Sequence, residues 1–312
     1  METQDQATAD VAAALSPSAS LLSPEIAARL GRLSLLSRRL SDARRRGRRQ
    51  NRRAGGGTEM IDTRPYVVGD DPRRIAWAAY ARLEKLLVRL VADETPLRLA
   101  LVVDTSASMG FGTPSKLRQG VRVAAGLASV ALSGEDRFAA IGSASGVLSA
   151  VRASGGRGGM ARLLPFLEGL TASGTTDLAS AAGAVTSAAG GRALCVLVSD
   201  LLDPAGALAG ARAVRARGHE VALVEVLDPS EIDPPDLADV DLEDEETGEI
   251  VALAPRGAAD AYRAALARQR ASVDEGAAEL GASVLRVTTA QPFDAIVGEA
   301  LRAGLLRGGA LS

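Results

Sequence analysis

The chain has 312 residues, 47 % of them apolar, and 36 Lys and Arg against 38 Asp and Glu, a formal net charge of -2. That length buries one large core, or one core with appendages, and the even balance points to neither nucleic acid nor membrane for the chain as a whole. One cysteine, Cys195 in an apolar run, excludes an intrachain disulfide or a cysteine-based zinc site and suits a reducing compartment. The first thirty residues carry acids and no early basic run, and no uncharged apolar stretch nears the ~20 residues that span a bilayer. A soluble, cytoplasmic chain is expected.

Residues 1–22 are rich in Ala and Ser and read as a disordered tail. Residues 23–57 read as a helix followed by a basic arm. Ser23 can cap, Pro24 suits the first turn, and Ile26, Leu30, Leu33 and Leu36 recur at helical spacing. Nine arginines then fall between 38 and 53, closed by Gly55-Gly56-Gly57. Residues 58–96 form a small appended module, with a helix expected over 73–81 and a strand over 85–91. Asp70 and Asp71 are placed to cap that helix. Ile75 and Trp77 are expected to pack the module onto the sheet of the C-terminal domain.

From residue 97 to 312 strands and helices alternate. Strands are expected at 97–103, 137–143, 147–152, 193–198, 220–226 and 282–287. Helices are expected at 115–132, 161–170, 177–189 (capped from Thr175 or Thr176), 205–217, 257–280 and 293–305. The pair 137–143 and 147–152 is close enough for a hairpin. An acidic insertion occupies 228–256, with Glu246-Thr247-Gly248-Glu249 as its turn. Alternation with near-continuous apolar strands predicts an α/β fold: a doubly wound, mainly parallel, Rossmann-like sheet with helices on both faces.

The first such strand runs into Asp104-Thr105-Ser106-Ala107-Ser108-Met109. In open parallel sheets, ligands bind at the carboxyl ends of strands where strand order reverses. A loop leaving the strand there can aim the oxygens of Asp104, Ser106 and Ser108 at one point. Oxygen-only donors select hard cations, Mg²⁺ first, with Mn²⁺ or Ca²⁺ as alternatives. Gly174-Thr175-Thr176-Asp177-Leu178 offers a further hydroxyl, and Val198-Ser199-Asp200-Leu201 a second carboxylate after another apolar strand. Asp-x-Ser-x-Ser alone is equally an ordinary strand-to-helix turn with capping side chains.

The order Asp-x-Ser-x-Ser, then Thr, then Asp resembles the metal-ion-dependent adhesion site of von Willebrand factor A (vWA) domains. The resemblance implies that Asp104, Ser106, Ser108, Thr176 and Asp200 hold the ion. It favours Thr176 over Thr175, because the family pattern there reads Gly-x-Thr-Asp/Asn-Leu. Such mostly neutral ligands leave the cation short of negative charge, so it attracts a carboxylate, in vWA proteins typically a partner's. The stretch from Arg64-Pro65-Tyr66 through Gly69-Asp70 and Ile75-Ala76-Trp77 to Ala81-Arg82, then Leu87-Val88-Arg89 and the Asp104 motif, is similar to the bacterial "domain of unknown function 58" family. The acidic turn 244–249 and Tyr262 belong to the same resemblance. Ala76 departs from it, standing where the family usually has Asp. Family members often carry N-terminal membrane helices; none is expected from this sequence, so anchoring is not carried over. The resemblance implies a chaperone-like partnership with a MoxR-type AAA+ ATPase in assembly or maturation of other protein complexes.

An enzyme is the first rival. The lone His219 lies far from any nucleophile pattern, and Gly142-Ser143-Ala144-Ser145-Gly146 has Ala where a nucleophile elbow needs Ser. Gly110 to Lys116 lacks the Gly before Lys and the Ser or Thr after it that a phosphate loop requires. A metal-dependent hydrolase would want more than two carboxylates. No catalysis is expected. The alternative function is binding of nucleic acid or another anionic surface by the basic arm, though no aromatic residue interleaves its arginines for base stacking.

Overall fold

A computed structural model describes residues 63–68, 70, 72, 75–89, 98–131, 137–154, 157–235, 241–243, 246, 248–252 and 258–302. The expected tail, the helix with its arginine arm and the end of the last helix lie outside these residues. The described residues fall into two compact units, one within 63–89 and the other within 98–302.

In the smaller unit β1 (Thr63–Pro65) pairs antiparallel with β2 (Leu87–Arg89), Arg64 opposite Val88. Ile75 bridges to Val88, and both are buried. Helix α1 spans Trp77–Leu83 and stops at Glu84, whose left-handed φ of 52° turns its N–H back to the Tyr80 carbonyl. The helix therefore starts four residues later than expected. Asp70 does not cap it and instead accepts from the Val67 N–H at 2.9 Å. The N-cap is Ala76, which has no side-chain oxygen to offer. Trp77, expected to pack, is 59 % exposed and meets the Tyr80 ring edge-on.

The larger unit runs β3 (Arg98–Asp104), α2 (Lys116–Ala131), β4 (Arg137–Ala144), β5 (Val147–Ser154), α3 (Arg157–Glu168), α4 (Ala181–Ala189), β6 (Leu194–Ser199), α5 (Pro204–Ala216), β7 (Glu220–Leu227), α6 (Pro229–Ile232), β8 (Asp241–Glu243), β9 (Ile250–Ala252), α7 (Ala258–Leu280), β10 (Ser283–Thr288) and α8 (Phe293–Arg302). The six-stranded sheet has the order β10-β7-β6-β3-β4-β5. All neighbours are parallel except β4 and β5, which form the expected hairpin about Ser145 and Gly146, both at positive φ. The doubly wound α/β sheet read from the alternation is the observed fold.

Side chains of alternate β3 residues feed two cores. Leu99, Leu101 and Val103 pack with apolar residues of α2, α3 and α8. Ala100 and Val102 pack on the other face with α4, α5 and α7. Two element starts differ from expectation. Helix α3 begins at Arg157, taking in Gly158 and Gly159. Helix α4 begins only at Ala181, and its approach is turned by Asp177, whose Oδ1 accepts from the Ser180 N–H at 3.1 Å. Thr175 and Thr176 do not cap it, because bonds to Ser145 and Glu246 hold them elsewhere.

Candidate metal centre

Strand order reverses at β3, which has β4 on one side and β6 on the other. The Asp104 and Asp200 loops leave the carboxyl ends of these adjacent parallel strands, the position where an open α/β sheet leaves a crevice. Both aspartates are buried. The loop bearing Thr176 is stitched to them through backbone bonds: Ser173 N–H donates to Thr105 O, and Ala107 N–H donates to Gly174 O, each at 2.8 Å. On its far side Ser145 exchanges two bonds with Thr175, its Oγ accepting the Thr175 N–H at 2.7 Å. Gly174 makes this close approach possible. It sits at φ 74°, and a Cβ there would collide with Ser145 Oγ.

Asp104 is the hub. Its Oδ1 accepts from the Ser106 N–H at 2.9 Å. Its Oδ2 accepts from Ser199 Oγ at 2.6 Å and faces Thr176 Oγ1 at 3.5 Å. Ser106 Oγ and Ser108 Oγ stand 3.1 Å apart. Burial pushes the Asp104 carboxyl above the usual range, against hydrogen bonds from Ser199 and Ser106, and the Asp200 charge adds to the rise.

Four of the five residues singled out from the sequence are thus brought together: Ser106 bonds Asp104 through its N–H, the Ser106 and Ser108 hydroxyls bond each other, and Thr176 Oγ1 approaches Asp104 Oδ2. Asp200 is near enough to influence Asp104, but its own oxygens are engaged. Oδ2 accepts from Lys116 Nζ at 2.8 Å, and Oδ1 from the Leu202 N–H at 3.3 Å. Lys116, 1 % exposed, also donates to Glu231 Oε1 at 2.6 Å. Burial acts to lower the Lys116 pKa, but the two carboxylates outweigh it and hold the ammonium charged. The segment that fails as a phosphate loop therefore has another role: it turns through a 3₁₀ stretch at Ala107–Gly110 and delivers Lys116 to Asp200.

Neighbouring donors around an octahedral Mg²⁺, with bonds of about 2.0–2.1 Å, stand about 3 Å apart. The serine hydroxyls are already at that separation, and the Asp104 and Thr176 oxygens are slightly beyond it. The donor set is all oxygen, rich in hydroxyls and poor in free charge. Among the described residues no three His, Cys, Asp or Glu side chains group as a cation cage. The hydroxyls therefore have to carry the fit, and their spacing allows it.

Residues that the sequence reading passed over also act here. Ser199 bonds the hub, Lys116 bridges Asp200 and Glu231, and Glu246 of the acidic insertion reaches Thr176. Ser199 could have been found, since it adjoins Asp200 after the strand. His219 is structural: its ring is buried, with Nδ1 accepting from the Ala193 N–H at 3.2 Å and Nε2 3.1 Å from Thr186 Oγ1. Burial pushes the Cys195 thiol up to about 12, so it is inert at neutral pH.

A family model described as "Protein of unknown function DUF58" matches residues 62–275. The chain belongs to the DUF58 family. This DUF58 chain is 34 % identical over 273 residues to uncharacterized proteins of Mycobacterium tuberculosis and Mycobacterium bovis, over 85 % of its own length and 86 % of theirs. Solved structures of similar layout include the conserved hypothetical protein BatB of Bacteroides thetaiotaomicron, with TM-score 0.45 and 18 % identity over 67 % of this DUF58 chain and 98 % of BatB. The SpRpn10 VWA domain has TM-score 0.38 and 9 % identity over 70 % of this chain and all of that domain. Among the described residues no helix is long and apolar enough to cross a membrane.

Proposed function

We propose that this protein is a non-enzymatic interaction module that captures a partner protein through a divalent cation, Mg²⁺ first, held by Asp104, Ser106, Ser108 and Thr176 with Asp200. The observation that carries this reading is the convergence of three sequence-distant loops on Asp104, with donor oxygens 3.1 and 3.5 Å apart. A bound cation would supply the positive charge on which a partner's carboxylate docks. The chain's own residues position that charge. Ser199 and the Ser106 N–H fix the Asp104 carboxyl, and the β4–β5 turn fixes the threonine loop. The partner, on the family resemblance read from the sequence, is a MoxR-type AAA+ ATPase or a client of it, in assembly or maturation of protein complexes.

The non-enzymatic reading is supported by His219 and Cys195. The one histidine is locked in structural hydrogen bonds, and the one thiol is buried and protonated. Neither is placed to act as base or nucleophile.

The test combines calorimetric titration of Mg²⁺ and Mn²⁺ with capture of a MoxR-type AAA+ ATPase, with and without EDTA. Asp104→Ala should abolish metal binding and metal-dependent capture while circular dichroism keeps the α/β signature. Asp104→Asn, which preserves the shape of a hub making several hydrogen bonds, should do the same. Equal capture with and without EDTA overturns the mechanism.

A further inference from the structure

The acidic insertion is the part of the molecule that the proposed function leaves unused, yet one of its carboxylates lies on the candidate site. Strands β8 and β9 pair antiparallel, Glu243 opposite Ile250, so residue 246 belongs to the connection between them. From there Glu246 Oε1 accepts from Thr176 Oγ1 at 2.9 Å, and its Oε2 accepts from the Thr176 N–H at 3.2 Å. Both oxygens of one carboxylate are thus seated on one residue of the proposed metal shell.

Two features make this contact chemically pointed. The first is distance: 2.9 Å is the separation of adjacent donors around an octahedral Mg²⁺ or Mn²⁺, about 3 Å. That separation is the one two neighbouring ligands of a single ion would have. The second is charge. Asp200 was expected to supply the second negative charge of the site, but its Oδ2 is held by the buried ammonium of Lys116 at 2.8 Å. Asp104 plus hydroxyls gives a divalent ion a single carboxylate, hydrogen-bonded by Ser106 and Ser199 but not tied to an ammonium. Glu246 would add a second from a hairpin that is an insertion in the sheet.

We propose that Glu246 is an internal carboxylate ligand of the Asp104 site. It fills the coordination position that an outside carboxylate would use, so a partner's carboxylate must displace Glu246 to bind. This inference rests on the metal-binding reading above and adds a ligand to it. It makes the acidic insertion a built-in competitor and sets the specificity of the site. Partners succeed when their acidic segment outcompetes a tethered one, which has the advantage of effective concentration.

The experiment uses Mn²⁺ as the probe on the full chain. Free Mn²⁺ is counted by electron paramagnetic resonance, and coordinated water by proton relaxation. Glu246→Gln should bind Mn²⁺ roughly tenfold more weakly. Its bound ion should show a higher water relaxivity than wild type, as a coordinated water replaces the carboxylate. Added acetate should lower that relaxivity in Glu246→Gln and leave wild type little changed. Glu249→Gln, an exposed neighbour across the turn, should behave as wild type. Equal affinity and relaxivity in wild type and Glu246→Gln, with binding lost in Asp104→Asn, overturns the role of Glu246 and leaves the metal site standing. Absence of Mn²⁺ binding in wild type overturns the metal reading and this inference with it.

Discussion

The ammonium of Lys116 lies 2.8 Å from Asp200 Oδ2, both groups almost wholly buried, at side-chain exposures of 1 % and 3 %. Glu231 completes the triad at 2.6 Å. Removing one partner of such a group strands the remaining charge in a low-dielectric setting, which costs about 3–5 kcal/mol. Lys116→Met should therefore lower stability at pH 7 by about that amount, measured by urea unfolding. Burial already raises the Glu231 carboxyl above its usual range against the pull of Lys116, so without the ammonium it rises further. The native state then binds more protons, and stability falls as pH rises. The penalty should thus be smaller at pH 5 than at pH 7. Equal stability of variant and wild type at pH 7 would show that the triad is not structural.

Gly174 links backbone conformation to the candidate site. A side chain there meets the left-handed φ and the Ser145 hydroxyl together. Gly174→Ala should cost about 1–2 kcal/mol. It should also displace Thr176 from Asp104, so that Mn²⁺ affinity falls while the unfolding transition stays cooperative. Calorimetry and urea unfolding on one preparation separate the effects. Unchanged metal affinity would remove the threonine loop from the site.

His219 gives a pH dependence whose sign is fixed. The backbone N–H of Ala193 must donate, so Nδ1 accepts, and the proton of the neutral ring sits on Nε2 facing Thr186. Burial, then the Arg217 charge, pushes the folded-state pKa below its ordinary value near 6.5. Between those two values the unfolded chain binds the extra proton, so this contribution is full above about pH 6.5 and is lost as pH falls. The chain has one histidine, so His219→Gln should flatten that part of the stability profile between pH 7.5 and 5. Identical slopes for wild type and variant would refute the assignment.

Ala76 occupies a helix start with no capping oxygen, where the family resemblance leads one to expect Asp. Ala76→Asp should add about 1 kcal/mol to α1, slowing hydrogen exchange of its first-turn amides roughly fivefold. Faster exchange would show that the buried alanine methyl is there for packing.

The sheet was legible because parallel strands buried on both faces read as apolar runs. Leu99–Val103, Leu194–Val198 and Val221–Val224 are such runs, and helices of small or amphipathic pattern separate them. The loop after β3 stood out for a related reason, a carboxylate and two hydroxyls leaving a buried strand, a pattern that ordinary strand-to-helix turns share and that only the later Thr and Asp segments single out. What stayed hidden depends on partners far along the chain. Nothing near Asp200 announces that Lys116 will occupy it, 84 residues away in sequence. Nothing in the acidic run tells Glu246 from its neighbours until the hairpin is folded. Asp177 looked like the first turn of a helix, but its side chain is spent bending the approach to Ala181.

Each strand adds to an edge of the sheet in chain order, β4 and β5 on one side of β3, then β6, β7 and β10 on the other. A growing polypeptide that has emerged only through β5 carries Asp104, Ser106 and Ser108. It has neither the Thr176 hydroxyl nor the Ser199 hydroxyl that seats Asp104 Oδ2. The oxygen cluster is therefore absent until the threonine loop and β6 have been made, and a ligand of that cluster would meet only chains in which β6 lies beside β3.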